Sequence, residues 1–186
     1  MEKIRTFIAV TLPDDVSEAL GAVSQELAPQ VPEKSVKWVT PERIHLTLRF
    51  LGDTPVDKLD DVASGLDRVA AGRAPFTLHL DQLGCFPNER RPRVIWVGVR
   101  GATEEVAALK EAIDEMLDPL GWEPERRSFH PHLTLGRVKR NHRQVALPWG
   151  SPVVSRPIPV DAVHLIESRL RPEGPVYTVR HTSSLQ

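Results

Sequence analysis

Cysteine is nearly absent from this chain: its 186 residues contain one, Cys85. A single thiol excludes an internal disulfide framework and fits a reducing compartment. Long apolar runs are absent too, and none approaches the ~20 residues that a membrane-spanning helix needs. The start, Met1 to Leu12, has a short apolar run broken by Arg5 and Thr6 and no small-residue cleavage site, so it does not read as a secretory signal. The expectation is a cytoplasmic protein that does not use a membrane. Net charge is missing as well. The 24 Lys and Arg stand against 25 Asp and Glu, a formal −1. Whole-molecule charge would not hold nucleic acid, and any RNA contact must use a local basic patch. There is no low-complexity tract, no flexible linker, and no glycine-rich phosphate loop of the nucleotide-binding kinds. What remains is a soluble globular composition, 40% hydrophobic and 26% charged, long enough for one domain or two closely coupled lobes.

What is present is a repeat. His45-Leu46-Thr47-Leu48 recurs letter for letter as His132-Leu133-Thr134-Leu135. From this chain's own residue frequencies, a chance second copy of the first tetrapeptide arises about four times in a thousand. In each copy the polar and apolar residues alternate, which is the period of a strand with His and Thr on one face and the leucines on the other. One such tetrapeptide would be ordinary sheet surface, since threonine is a good strand former. Two identical copies imply two strands that serve one shared site.

Read in order, residues 4–11 form a first strand, and Pro13 and Asp14 open a helix with Asp14 as its N-cap. Val16, Leu20, Val23 and Leu27 fall at helical spacing. A short strand comes next at 36–39, then the first motif strand at 44–51. A second helix at 55–71 carries the stripe Leu59, Val62, Leu66 and Val69. The second half resembles this plan. Alternation at 76–81 and an apolar run at 94–99 give two strands. A third helix spans 103–120, with Val106, Leu109, Ile113, Leu117 and Leu120 on one face. The second motif strand runs to Val138, residues 139–152 read as loop, and strands at 159–168 and 175–181 finish the chain. Helices interleaved with strands joined by short turns indicate an α+β fold with mainly antiparallel sheets. If each half builds one sheet, the motif strands can face each other across a cleft.

Two imidazoles across a cleft suit acid–base chemistry near neutral pH, one neutral and accepting a proton, the other charged and donating it. Two threonine hydroxyls beside them can donate to oxygens that gain charge in a transition state. A phosphodiester matches this set, with no nucleophilic Ser or Cys required. Metal binding is the chemical rival, because His130 and His132 could share a strand face, but no neighbouring carboxylate or cysteine pattern completes a zinc site.

At these residues the sequence resembles the two-histidine (2H) phosphoesterases, within them the RNA 2′,3′-cyclic phosphodiesterases, also called 2′-5′ RNA ligases. The resemblance includes Arg5-Thr-Phe-Ile-Ala with Leu12-Pro13, Lys37-Trp-Val, His45-Leu-Thr-Leu-Arg-Phe-Leu-Gly and Pro92-Arg-Val-Ile-Trp-Val-Gly. It continues through His130-Pro-His-Leu-Thr-Leu-Gly-Arg and Ser168-Arg-Leu with Gly174 and Tyr177. It implies a bilobal fold, two related lobes in one domain, each with an antiparallel sheet and outer helices, around an active-site cleft. It implies hydrolysis of a 2′,3′-cyclic phosphate end on RNA to a 2′-phosphomonoester, with no metal and no organic cofactor; no obligate protein partner is expected. Carried over by position, His45 would be the proton donor, His132 the proton acceptor, and Thr47 and Thr134 the ligands of phosphate oxygens. The reverse reaction, 2′-5′ joining, comes with the resemblance.

Strand parity puts Arg49 on the face of Thr47, as a candidate contact to substrate phosphate. Arg137 has the wrong parity and would need a bulge to reach the cleft. Arg90, Arg91 and Arg93 read as a solvated charge run, and Phe7 as core. Two other classes stay open: an RNA-binding module without catalysis, and a 2H enzyme acting on a small cyclic nucleotide or another cyclic phosphate.

Overall fold

A computed structural model of the chain describes residues 2–142 and 145–186. Nine strands, β1 (Lys3–Val10), β2 (Val36–Trp38), β3 (Leu46–Pro55), β4 (Phe76–Phe86), β5 (Val94–Gly101), β6 (His132–Val138), β7 (Pro157–Val160), β8 (Ala162–Arg169) and β9 (Val176–Ser184), form one hydrogen-bonded sheet. Its order is β7-β4-β5-β6-β3-β1-β8-β9, with β2 paired to β6, and every pairing is antiparallel. The α+β antiparallel expectation holds, with one refinement. The two halves meet edge to edge at a single bridging pair, Leu46 with Leu133, so the motif strands are neighbours in the middle of one curled sheet.

Three helices, α1 (Asp14–Leu27), α2 (Leu59–Ala71) and α3 (Thr103–Leu117), cover the face opposite the cleft. Their stripes are the predicted ones: Val16, Leu20 and Leu27; Leu59, Val62 and Leu66; Val106, Leu109, Ile113 and Leu117, all buried. Sequestering such side chains from water is the main force holding the layers together. Helix α1 touches β6 and α3 touches β3, so each helix reaches the motif strand of the other half, and one continuous core joins both. Several boundaries differ from the sequence reading: β3 covers 46–55 where 44–51 is expected, and β4 runs on to Phe86 where 76–81 is expected. Asp14 is the first helical residue of α1, with Pro13 at the cap and no side-chain capping bond. Residues 56–58 form a tight turn before α2. The strand expected at 159–168 is two strands broken at Asp161.

Candidate active site

The bridging pair sets the site. Continuing its antiparallel register by one residue in each direction puts His45 opposite Thr134 and Thr47 opposite His132. All four side chains line one cleft of about 1430 Å³, while Leu46, Leu133 and Leu135 are buried on the other face and Leu48, though buried, reaches the cleft lining. Each imidazole is held in the same way. His45 Nδ1 donates to the carbonyl of Arg43 at 2.8 Å, and His132 Nδ1 to the carbonyl of His130 at 2.7 Å. A carbonyl only accepts, so in both rings the Nδ1 carries hydrogen and Nε2 is left for chemistry. Each ring also rests on aromatics: Phe7 stacks on His45 at 4.7 Å with Tyr177 edge-on at 5.3 Å, and Phe86 stands edge-on to His132 at 5.0 Å.

At the last residue of each motif the strand bulges. Ala9 pairs with Thr47 and Ile8 with Arg49, so β3 has one extra residue, Leu48. Trp96 pairs with Thr134 and Ile95 with Gly136, so β6 has one extra residue, Leu135. A bulge reverses the parity of the residues beyond it. Arg49 therefore leaves the face of Thr47 and turns to the helix side, which corrects its place in the sequence reading. It touches the floor of the cleft, but its guanidinium lies among Asp114, Glu125 and the carbonyl of Glu123, with the side chain 6% exposed. The same reversal brings Arg137 round to the cleft, paired across β5 with Val94. At the position matching Arg49 stands Gly136, where a Cβ would lie 2.8 Å from Val36 and 3.0 Å from Trp38. A larger residue there would push β2 away.

Other expectations resolve by place. Phe7 is buried, as expected of core, but its ring supports His45. His130 supplies the carbonyl for His132 and lines the cleft. Arg90, Arg91 and Arg93 do not line it. Sequence reasoning missed Arg43, Arg126 and Arg127, all at the cleft. Arg5, Lys37 and Tyr177, also on its lining, enter the sequence reading only through the family resemblance. The protein has a formal charge of −1, yet this cleft is strongly cationic. No group of three or more His, Cys, Asp or Glu among the described residues is arranged as a metal site.

Burial lowers the pKa of both histidines. For His45 the bond to the Arg43 carbonyl opposes burial and the charge of His132 adds to it. For His132 the His130 carbonyl opposes burial, and Arg137 and then His130 add to it. The singly protonated pair, which holds one acid and one base, is thus populated below the usual histidine value of 6.5 in the free protein. The expectation of a rate maximum near neutrality shifts accordingly. The kcat/KM profile should be bell-shaped, peak on the acid side of pH 6.5, and fall about tenfold per pH unit beyond its upper limb. A pH–rate series showing a maximum above neutrality would contradict this reading of the two environments.

Comparison with known proteins gives the site a family. The model of the family described as "LigT like Phosphoesterase" matches twice, over residues 10–96 and 97–177, each with one copy of the motif. The chain belongs to this family. A relative from Methanothermobacter thermautotrophicus, named RNA 2′,3′-cyclic phosphodiesterase, is 35% identical over 95% of this chain and 96% of its own. One of the same name from Thermus thermophilus is 35% identical over 98% of this chain and 91% of its own. The crystal structure of TT0787 of Thermus thermophilus superposes with a TM-score of 0.83 at 34% identity, covering 98% of each chain. The LigT-like phosphoesterase fold is thus established over nearly the whole chain, and the chain is a cyclic phosphodiesterase.

Proposed function

We propose that this LigT-like phosphoesterase hydrolyses the 2′,3′-cyclic phosphate at the end of an RNA strand and leaves a 2′-phosphomonoester. The observation that carries the reading is the opposed pair of His and Thr residues on one face, with both Nδ1 atoms tied to carbonyls. Water attacks phosphorus while His132 Nε2 takes its proton. The bond from phosphorus to the 3′-oxygen breaks while His45 Nε2 gives that oxygen a proton. Thr47 and Thr134 donate to the non-bridging oxygens, and Arg137 balances their charge. Arg137 also supports this division of labour, because a cation beside His132 favours the neutral form that a base needs. With a 5′-hydroxyl attacking in place of water, the same roles give a 2′-5′ linkage, and attack of the 3′-hydroxyl on that linkage exchanges them.

The double match of the family model and the mirrored strand order support one domain whose halves are related by a pseudo-two-fold axis near Leu46 and Leu133. The lone Cys85 and the RNA substrate favour the cytoplasm as the place of work. The test is a cyclic-phosphate-ended oligonucleotide whose product is identified by phosphorus NMR. A 2′-phosphate product, formed at the same rate after exhaustive chelation, is expected. A 3′-phosphate product, or a rate restored only by added metal, would refute the scheme.

A further inference from the structure

Residues 121–131 run from the end of α3 to β6 along one wall of the cleft, where Arg126 and Arg127 are exposed. No strand ladder holds this segment. Side chains do. Trp122 Nε1 donates to the carbonyl of Leu51 at 3.0 Å, and Lys58 Nζ donates to that of Leu120 at 2.6 Å while lying 5.3 Å from the Trp122 ring.

A further attachment is ionic and sits one residue before the arginine pair. Glu125 Oε2 is 3.5 Å from Arg49 Nη1 and 3.2 Å from Lys110 Nζ. Asp114 completes the group, 3.6 Å from Arg49 and hydrogen-bonded by Lys110. Both cationic side chains are 6% exposed, so two buried positive charges face two carboxylates. Of these four residues only Glu125 belongs to the segment. Removing it would leave the buried cations in excess, which is costly. Its carboxylate, 45% exposed on the cleft lining, is drawn toward these two cations, which offset its charge on the wall that Arg126 and Arg127 present to an anion.

The cleft also has room to spare. Its volume of about 1430 Å³ exceeds the roughly 300–1,000 Å³ of small-molecule pockets. Once His45, Thr47, His132, Thr134 and Arg137 have engaged one terminal phosphate, the arginines of the wall remain unassigned. A single-stranded nucleic acid carries a phosphate at every nucleotide, and its protein grooves follow that backbone with cations.

We propose that residues 121–131 are a strap that grips RNA phosphates upstream of the cyclic end through Arg126 and Arg127, with Glu125 as the latch that seats it. Arg126 and Arg127 would set the preference for a strand over a mononucleotide, and Glu125 would be a positioning residue. The identity of the ligand rests on the phosphodiesterase reading above.

The experiment compares an oligonucleotide ending in a 2′,3′-cyclic phosphate with a 2′,3′-cyclic mononucleotide, over a range of salt. It uses wild type, Glu125→Gln, and a variant carrying Arg126→Ser with Arg127→Ser. The double variant should raise the oligonucleotide KM about tenfold at low salt and flatten its log–log salt slope by about 1.4, or 0.7 per phosphate contact. The mononucleotide KM should move much less. Glu125→Gln should reproduce part of this loss. It should also speed tryptic cleavage after Arg126 or Arg127, which product oligonucleotide should slow in wild type. An unchanged slope in the double variant, or equal losses on both substrates, would overturn the strap. If Glu125→Gln fails to fold, the exposed double variant alone decides. Turnover of neither substrate by wild type would sink the phosphodiesterase reading instead.

Discussion

His45→Ala and His132→Ala should each lower kcat by about 10⁴-fold or more, and the two together should be scarcely worse than either alone. The two imidazoles act in one turnover, so the second loss has little left to remove. Neither ring is part of the main hydrophobic core, so thermal melts should show folded protein in all three variants. The roles can then be separated. A substrate whose 3′ leaving group needs no protonation should restore most of the activity of His45→Ala and none of that of His132→Ala. The opposite pattern would reverse donor and acceptor. Full activity in either single variant would end the two-histidine account.

Arg137→Ala should cost about 10²–10³-fold in kcat/KM, the usual loss when one donor to developing charge is removed. It should also leave a mark in the pH profile. Arg137 helps to hold the His132 pKa down, so without it His132 takes up protons more readily and the limb belonging to the base moves to higher pH. Arg137→Lys should recover part of the rate, because it keeps the charge and loses the fork. The contrast is Arg49→Ala, whose effect should appear chiefly as lost stability, about 3 kcal/mol or more, through the unbalanced Asp114 and Glu125. If Arg49→Ala proved the worse variant in chemistry at unchanged stability, the two arginines would have been assigned to the wrong faces.

That exchange of arginines shows what sequence patterns convey. Period two placed His45, Thr47, His132 and Thr134 on one side of their strands, and the helical stripes of α1, α2 and α3 were legible because burial demands them. Alternation fails where a strand gains a residue. Nothing in Leu48-Arg49-Phe50 announces the bulge, whereas Gly136 beside Leu135 was a usable signal, since a glycine within a strand marks irregular pairing or close approach. Comparing the copies beyond their four shared letters would have aligned Arg49 with Gly136 and Phe50 with Arg137. The wall at 121–131 was illegible for another reason. Its place is set by charges from α3 and β3 that are far apart in sequence, and such ion pairs leave no local period.

The strand order has a consequence for how the protein is made. The half that bears the second motif, β4 to β7, is one uninterrupted stretch ending at Val160. The half that bears the first motif is assembled from both ends of the chain, since β1 and β3 are completed by β8 and β9. On a ribosome the second motif can therefore find its partners while the first still lacks a neighbour for β1 and the Tyr177 ring that flanks His45.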